Sequence, residues 1–174
     1  MFEEAQRPDD VRLFGLLDDV NRGYRYIARE SLPKVSANID RYKLFVPKAW
    51  GNMAASVGLG GSYSNICVAG PGDVCAETFI EFGPFASQEE TVKVAKYFMT
   101  KFFRAMLFLA KTSQNTAKDK YRYVPLPDFG SEIWRAKIAE LDQKLFEMYD
   151  VPAATREYIL RNLQTRDESN IEIL

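Results

Sequence analysis

The chain is 174 residues long, 47% hydrophobic, 13% aromatic and 27% charged, with a formal net charge of −1. That length allows one domain with a sizeable core, and the near-zero charge gives no overall field that would draw the molecule onto nucleic acid. It contains no histidine, which excludes histidine catalysis and histidine-containing metal sites.

In chain order, "VRLFGLL" and "YRYIAR" flank the turn-forming "DDVNRG", so the pattern predicts a β-hairpin. "RYKLFVPKAW" alternates Tyr42, Leu44 and Val46 with Arg41, Lys43 and Phe45, as expected of a half-buried strand ending at Pro47. Residues 51–74 are rich in Gly, Ser and Asn and read as a loop, longer than compact domains usually carry without a function. "AETFIEFGPF" is the next expected strand. "SQEE" then opens a long helix, with Ser87 placed to cap it and Glu90 placed to bond back. Its apolar positions Val92, Ala95, Phe98, Met99, Phe102, Met106 and Leu109 recur at helical spacing, and Lys101, Arg104 and Lys111 fall on another face.

After the polar link "TSQNTAKDK", "YRYVPLP" is expected to be a short strand. Residues 132–149 carry a helical stripe of Ile133, Trp134, Ile138, Leu141, Leu145 and Tyr149. Pro152 is suited to the start of a further helix with Tyr158, Ile159 and Leu163 inward. The closing "TRDESNIEIL" reads as frayed. The expected fold class is α+β: a mixed or antiparallel sheet packed against one long helix, followed by a small C-terminal helical segment.

The charge is unevenly spread. Residues 31–125 hold twelve Lys/Arg against seven Asp/Glu, and residues 126–174 hold six against ten. A basic middle is compatible with a polyanionic partner, although many solvated surfaces share it. Cys67 and Cys75, with seven residues between them, do not form a zinc pattern and are expected to be free thiols. "MFEEAQRPDD" lacks the features of a signal peptide, and no apolar run is long enough for a membrane span, so a cytoplasmic location is expected.

Little in the sequence points to catalysis. No G-x-S-x-G elbow occurs, and "GLGGS" lacks the Lys-Ser/Thr and strand–helix context of a phosphate loop. Pro127-Asp128 followed by Asp142-Gln143-Lys144 fits the loose spacing of Mg²⁺-dependent nucleases, in which carboxylates hold the metal and lysine assists the attacking water. The helical stripe through Leu141 and Leu145 instead turns Asp142 and Lys144 outward, toward solvent. The remaining constellation is of a binding type: Arg41, Lys43 and Lys48 around one strand, Asn52, Ser62 and Tyr63 in the loop, and Lys101, Arg104, Lys111, Gln114 and Asn115 along and after the helix. Cations hold phosphates, and Arg, Asn and Gln make two-pronged contacts to purine edges.

The ordered blocks "RYKLFVPKAWG", "PGDVCAETFIEFGPFASQEE", "VAKYFMTKFFRAMLFLAKTSQNT", "YRYVPLPDF" and "IWRAKIAELDQKLFEMYDV" resemble the C-terminal target-recognition domain of type II restriction–modification enzymes with adenine-specific DNA methyltransferase activity. The resemblance runs from the hairpin to about residue 160, and departs at Ala76 and Phe79, where family members often carry Thr and Tyr. It implies a DNA-sequence-recognition module over residues 1–130, with residues 131–174 as a C-terminal helical segment of the same domain. Such a module reads double-stranded DNA. A methyltransferase catalytic domain, in cis or in trans and in some members beside an endonuclease, binds S-adenosylmethionine and flips the adenine. Neither an N-P-P-Y motif nor a cofactor-binding glycine motif occurs here, so the resemblance implies no catalysis and no cofactor in this chain itself. A nuclease fragment using Asp128, Asp142 and Lys144, and a protein-interaction module docking through its helical tail, are the alternatives.

Overall fold

Strands β1 (Val11–Leu16) and β2 (Arg22–Ile27) form the expected antiparallel hairpin, with Val11 opposite Ile27 and Leu16 opposite Arg22. The computed structural model describes residues 1–18, 21–32, 37–49, 65–110 and 117–174. The short strand β5 (Asp73–Cys75) joins β1 in parallel and gives a three-stranded sheet in the order β2-β1-β5. A second, mixed sheet is built from β3 (Tyr42–Pro47), β4 (Ile66–Ala69), β6 (Phe79–Phe85) and β7 (Ile171–Ile173), in the order β6-β3-β4-β7. In it β3 is antiparallel to both neighbours, while β4 and β7 are parallel.

The period-2 pattern explains the layering. On β3 and β4, Leu44, Val46, Ile66 and Val68 enter the main core beneath the helices, whereas Phe45, Cys67 and Ala69 point the other way, onto Phe14, Tyr24 and Cys75 of the first sheet. The four-stranded sheet is thus the middle layer, between the helices on one side and the three-stranded sheet on the other. For this reason β3 is buried on both faces, Leu44, Phe45 and Val46 all at 0% exposure, and is not the half-buried strand its alternation suggests.

The helices are α1 (Gln88–Met99), α2 (Lys101–Ala110), α3 (Ile138–Met148) and α4 (Ala153–Asn162). Ser87 caps α1 as expected, its Oγ accepting from Glu90 N–H at 3.1 Å, and Glu90 in return accepts from Ala86 N–H at 2.7 Å. The single long helix of the sequence reading is broken at Thr100, whose backbone is extended (ψ 149). Thr100 ends one helix and starts the next: its N–H reaches Tyr97 O, and its Oγ1 accepts from Phe103 N–H at 3.1 Å. The apolar spacing passes through the break without interruption, which is why periodicity alone reads one helix.

Three further expectations are corrected. "YRYVPLP" is not a strand: Lys118–Tyr123 form a 3-10 segment followed by extended backbone. The stripe over 132–149 is divided into a 3-10 turn, Glu132–Arg135, and α3, although Trp134, Ile138, Leu141 and Leu145 are buried as read. The tail is not frayed, because β7 pairs with β4 and Leu174 N–H donates to Val68 O at 2.9 Å. The expected loop 51–74 also contains β4, and its residues 51–64 lie outside the described ones. The α+β class itself holds. One core cluster runs from Leu44 through α1 and α2 to Leu163, so the C-terminal helices share the core of the middle sheet.

Candidate nucleic-acid interface

Of the residues read as DNA contacts, Arg41 and Lys48 are exposed at the two ends of β3. Asn52, Ser62, Tyr63, Lys111, Gln114 and Asn115 lie outside the described residues. The other three are drawn into the protein.

Lys43, a central β3 residue at 0% exposure, points its ammonium at the carbonyls of Ile39 (3.1 Å), Arg41 (2.8 Å) and Gly70 (2.7 Å). Burial pushes its pKa down, and Asp73 and Glu81 act in the opposite direction. Its three donors tie the entry to β3 to the β4–β5 turn. This is a structural role and not a phosphate contact, since an ammonium with its hydrogens on buried carbonyls has none left for a ligand.

Arg104 is likewise at 0% exposure. Its Nε donates to the carbonyls of Met99 and Thr100, both at 3.2 Å, and its Nη2 donates to Gln164 O at 2.7 Å. The break at Thr100 leaves the last carbonyls of α1 without helical partners, and Arg104 covers them while also holding the chain that follows α4. Lys101 is half-buried and donates to Leu160 O at 2.7 Å, which fastens α2 to α4. The basic helix face of the sequence reading therefore turns inward at Arg104 and partly at Lys101, because the carbonyls at the ends of α1 and α4 need donors.

The other half of this latch is Asp142. The α3 stripe turned it outward, but it is 5% exposed, and its Oδ1 accepts from Phe102 N–H at 2.9 Å in the first turn of α2. Burial raises its pKa to about 6, against the smaller lowering by the Phe102 hydrogen bond, Arg104 and Lys101. Asp142 is a capping carboxylate supplied from another helix. Lys144 is exposed, as read, and Asp128 is exposed, with Oδ1 accepting from Gly130 N–H at 2.8 Å. Among the described residues no group of three His, Cys, Asp or Glu side chains could hold a metal ion. Cys67 and Cys75 are free thiols, and burial pushes both upward, Cys75 to about 12.

The structure also assembles a feature that the sequence reading did not contain. Three segments far apart in the chain, Phe82–Phe85, Tyr97–Phe103 and Tyr121–Phe129, converge on a cavity of about 290 Å³. Its walls are aromatic: Phe82 meets Tyr121 at 4.6 Å and Phe98 at 5.2 Å between ring centroids, and Phe98 is stacked with Tyr121 at 5.7 Å. Gly83 is required at its edge, since φ is +149 and an added Cβ would lie 3.1 Å from Tyr42 O. Lys118 lies over the Phe82 ring at 5.7 Å, and Arg122, next to the wall residue Tyr121, is stacked on Tyr123 at 4.8 Å. The interleaved cations and tyrosines of "KDKYRY" were the signal for this surface.

On α3 and α4, Met148, Tyr158 and Leu160 are 49%, 53% and 45% exposed, whereas Ile159 is buried, as is Leu163 just beyond. Tyr158 is thus not inward as expected. No helix among the described residues is long and apolar enough to cross a membrane. No family model, curated protein or solved structure matches the chain.

Proposed function

We propose that this chain is a non-catalytic DNA-sequence-recognition module of a type II restriction–modification enzyme with adenine-specific methyltransferase activity. It acts in the cytoplasm on double-stranded DNA, with S-adenosylmethionine held by a separate catalytic domain. The observation that carries the reading is the ordered series of sequence blocks from "RYKLFVPKAWG" to "IWRAKIAELDQKLFEMYDV". The exposed cations Arg41 and Lys48 at the ends of β3, with Lys118 and Arg122 in the 3-10 segment, support it as phosphate contacts. The engagement of Asp142 with α2 speaks against the nuclease alternative. A gel-shift titration of duplex DNA, with and without the methyltransferase domain, tests the proposal. Binding should weaken steeply as salt rises, and no salt-sensitive binding in either form refutes it.

The exposed apolar residues Met148, Tyr158 and Leu160 favour a second reading, an interaction module whose C-terminal helices dock on the catalytic domain. The double substitution Tyr158→Glu/Leu160→Glu should then abolish co-purification of the two while leaving the unfolding temperature unchanged. Retained co-purification refutes it.

A further inference from the structure

The aromatic cavity between β6, α1 and the 3-10 segment has a composition that a purely structural gap does not need. Its interior is apolar, built on Phe82, Phe98 and Tyr121. Yet the segment that supplies Tyr121 to its wall carries Lys118, Lys120 and Arg122 within five residues, with Asp119 the one acidic residue among them. Asp119 pairs with Lys120 at 3.3 Å, and Lys120 faces a neighbouring hollow with Met106 and Tyr123, which leaves Lys118 and Arg122 as the free positive charges of the segment. Lys118 and Arg122 are exposed and rest on aromatic faces rather than on carboxylates. At about 290 Å³ the cavity is near the lower end of the roughly 300–1,000 Å³ typical of small-molecule sites.

Flat aromatic walls select a flat apolar-faced group, and a cationic rim selects an anion attached to it. One ligand class combines both, a nucleobase on its sugar–phosphate strand. Stacking on aromatic side chains is tolerant of base identity, because every base has a π-face, and the neighbouring phosphates supply the charge. A stacked, paired base inside a duplex cannot enter such a cavity, so the base must be unpaired.

We propose that this cavity receives an unpaired nucleobase, laid against the aromatic wall at Phe82 and Tyr121, while Lys118 and Arg122 hold the phosphates on either side of it. The proposal rests on the nucleic-acid reading given above and adds a binding mode to it. The unpaired base belongs either to a single strand or to a nucleotide displaced from a duplex.

The test measures binding of the full chain by fluorescence anisotropy to four labelled probes: an oligothymidylate, an abasic strand of the same length, a paired duplex, and the same duplex with one bulged nucleotide. The wild type should bind oligothymidylate about tenfold more tightly than the abasic strand, the lower range of one stacked base. Phe82→Leu, which keeps an apolar side chain but removes the ring, should erase that preference. Lys118→Glu/Arg122→Glu, on exposed positions, should weaken both strands together and flatten the salt dependence. Preference for the bulged over the paired duplex assigns the base to a displaced nucleotide, and equal binding of the two duplexes assigns it to a single strand. Equal wild-type affinity for oligothymidylate and the abasic strand overturns the proposal, as does an unchanged preference in Phe82→Leu. Salt-sensitive duplex binding alongside either result leaves the recognition reading standing, whereas no binding to any probe removes both.

Discussion

Replacing Asp142 with asparagine should stabilise the protein at neutral pH and leave it unchanged in acid. The side chain is buried, and its carboxyl prefers the proton in the folded state, with a pKa of about 6 against 3.8 for the ordinary group. Below pH 3.8 the carboxyl is neutral in both states and imposes no burial penalty. As pH rises from 3.8 to about 6, the unfolded chain loses the proton before the folded one does. Ionisation therefore favours the unfolded state over this window, and stability falls. The gap between the two pKa values corresponds to about 3 kcal/mol of stability lost by pH 7. The substituted amide would keep an oxygen for Phe102 N–H, as asparagine does at helix starts, without a charge to desolvate.

Urea unfolding of wild type and Asp142→Asn at about pH 3.5 and pH 7 measures the effect. The variant should match the wild type at the lower pH and exceed it by about 3 kcal/mol at the higher. A difference that does not change with pH, or a less stable variant at pH 7, would refute the reasoning. It would mean that Arg104 and Lys101 outweigh the burial of the carboxylate.

Lys43→Met removes the ammonium shared by the carbonyls of Ile39, Arg41 and Gly70, of which Ile39 and Gly70 keep a backbone N–H, and should cost about 2 kcal/mol in urea unfolding. Arg104→Met should also destabilise by about 2 kcal/mol or more, because the end of α1 loses its cover. At a temperature where both variants remain folded, neither should alter the salt slope of DNA binding. Arg41→Ala and Lys48→Ala should do the reverse, each lowering that slope by about 1 with little change in unfolding midpoint. Gly83→Ala forces a side chain into a backbone conformation that L residues rarely adopt, 3.1 Å from Tyr42 O, and should lower stability by roughly 1–3 kcal/mol in thermal unfolding.

Local signals carried the elements that have a strong period or a named cap: the β1–β2 hairpin, β3, β6 and the Ser87 start of α1. The break at Thr100 was written in the sequence only as a threonine three residues before Phe103, and a run of continuous apolar spacing concealed it. β4 has four residues and β7 three, too short for a pattern, and both are defined by the strands they pair with. The site was less legible for a related reason. A cation at a surface phosphate and a cation closing a helix end look the same in one dimension. Lys43 and Arg104 are separated from Arg41 and Lys48 only by the sheet and helices stacked over them. The aromatic cavity draws on three separate segments between Phe82 and Phe129, so no short window of the sequence contains it.

The pairing of β7 with β4 sets a timetable for biosynthesis. Ile66 lies beside Ile171, more than a hundred residues later in the chain. While the ribosome is still making the segments between them, β4 has β3 on one side and an open row of backbone groups on the other. The nascent middle sheet must wait with that edge unfilled through the synthesis of α1 to α4, a period in which it can template the wrong strand. Completion of the middle sheet thus waits for β7, and conditions that slow elongation lengthen the interval of exposure.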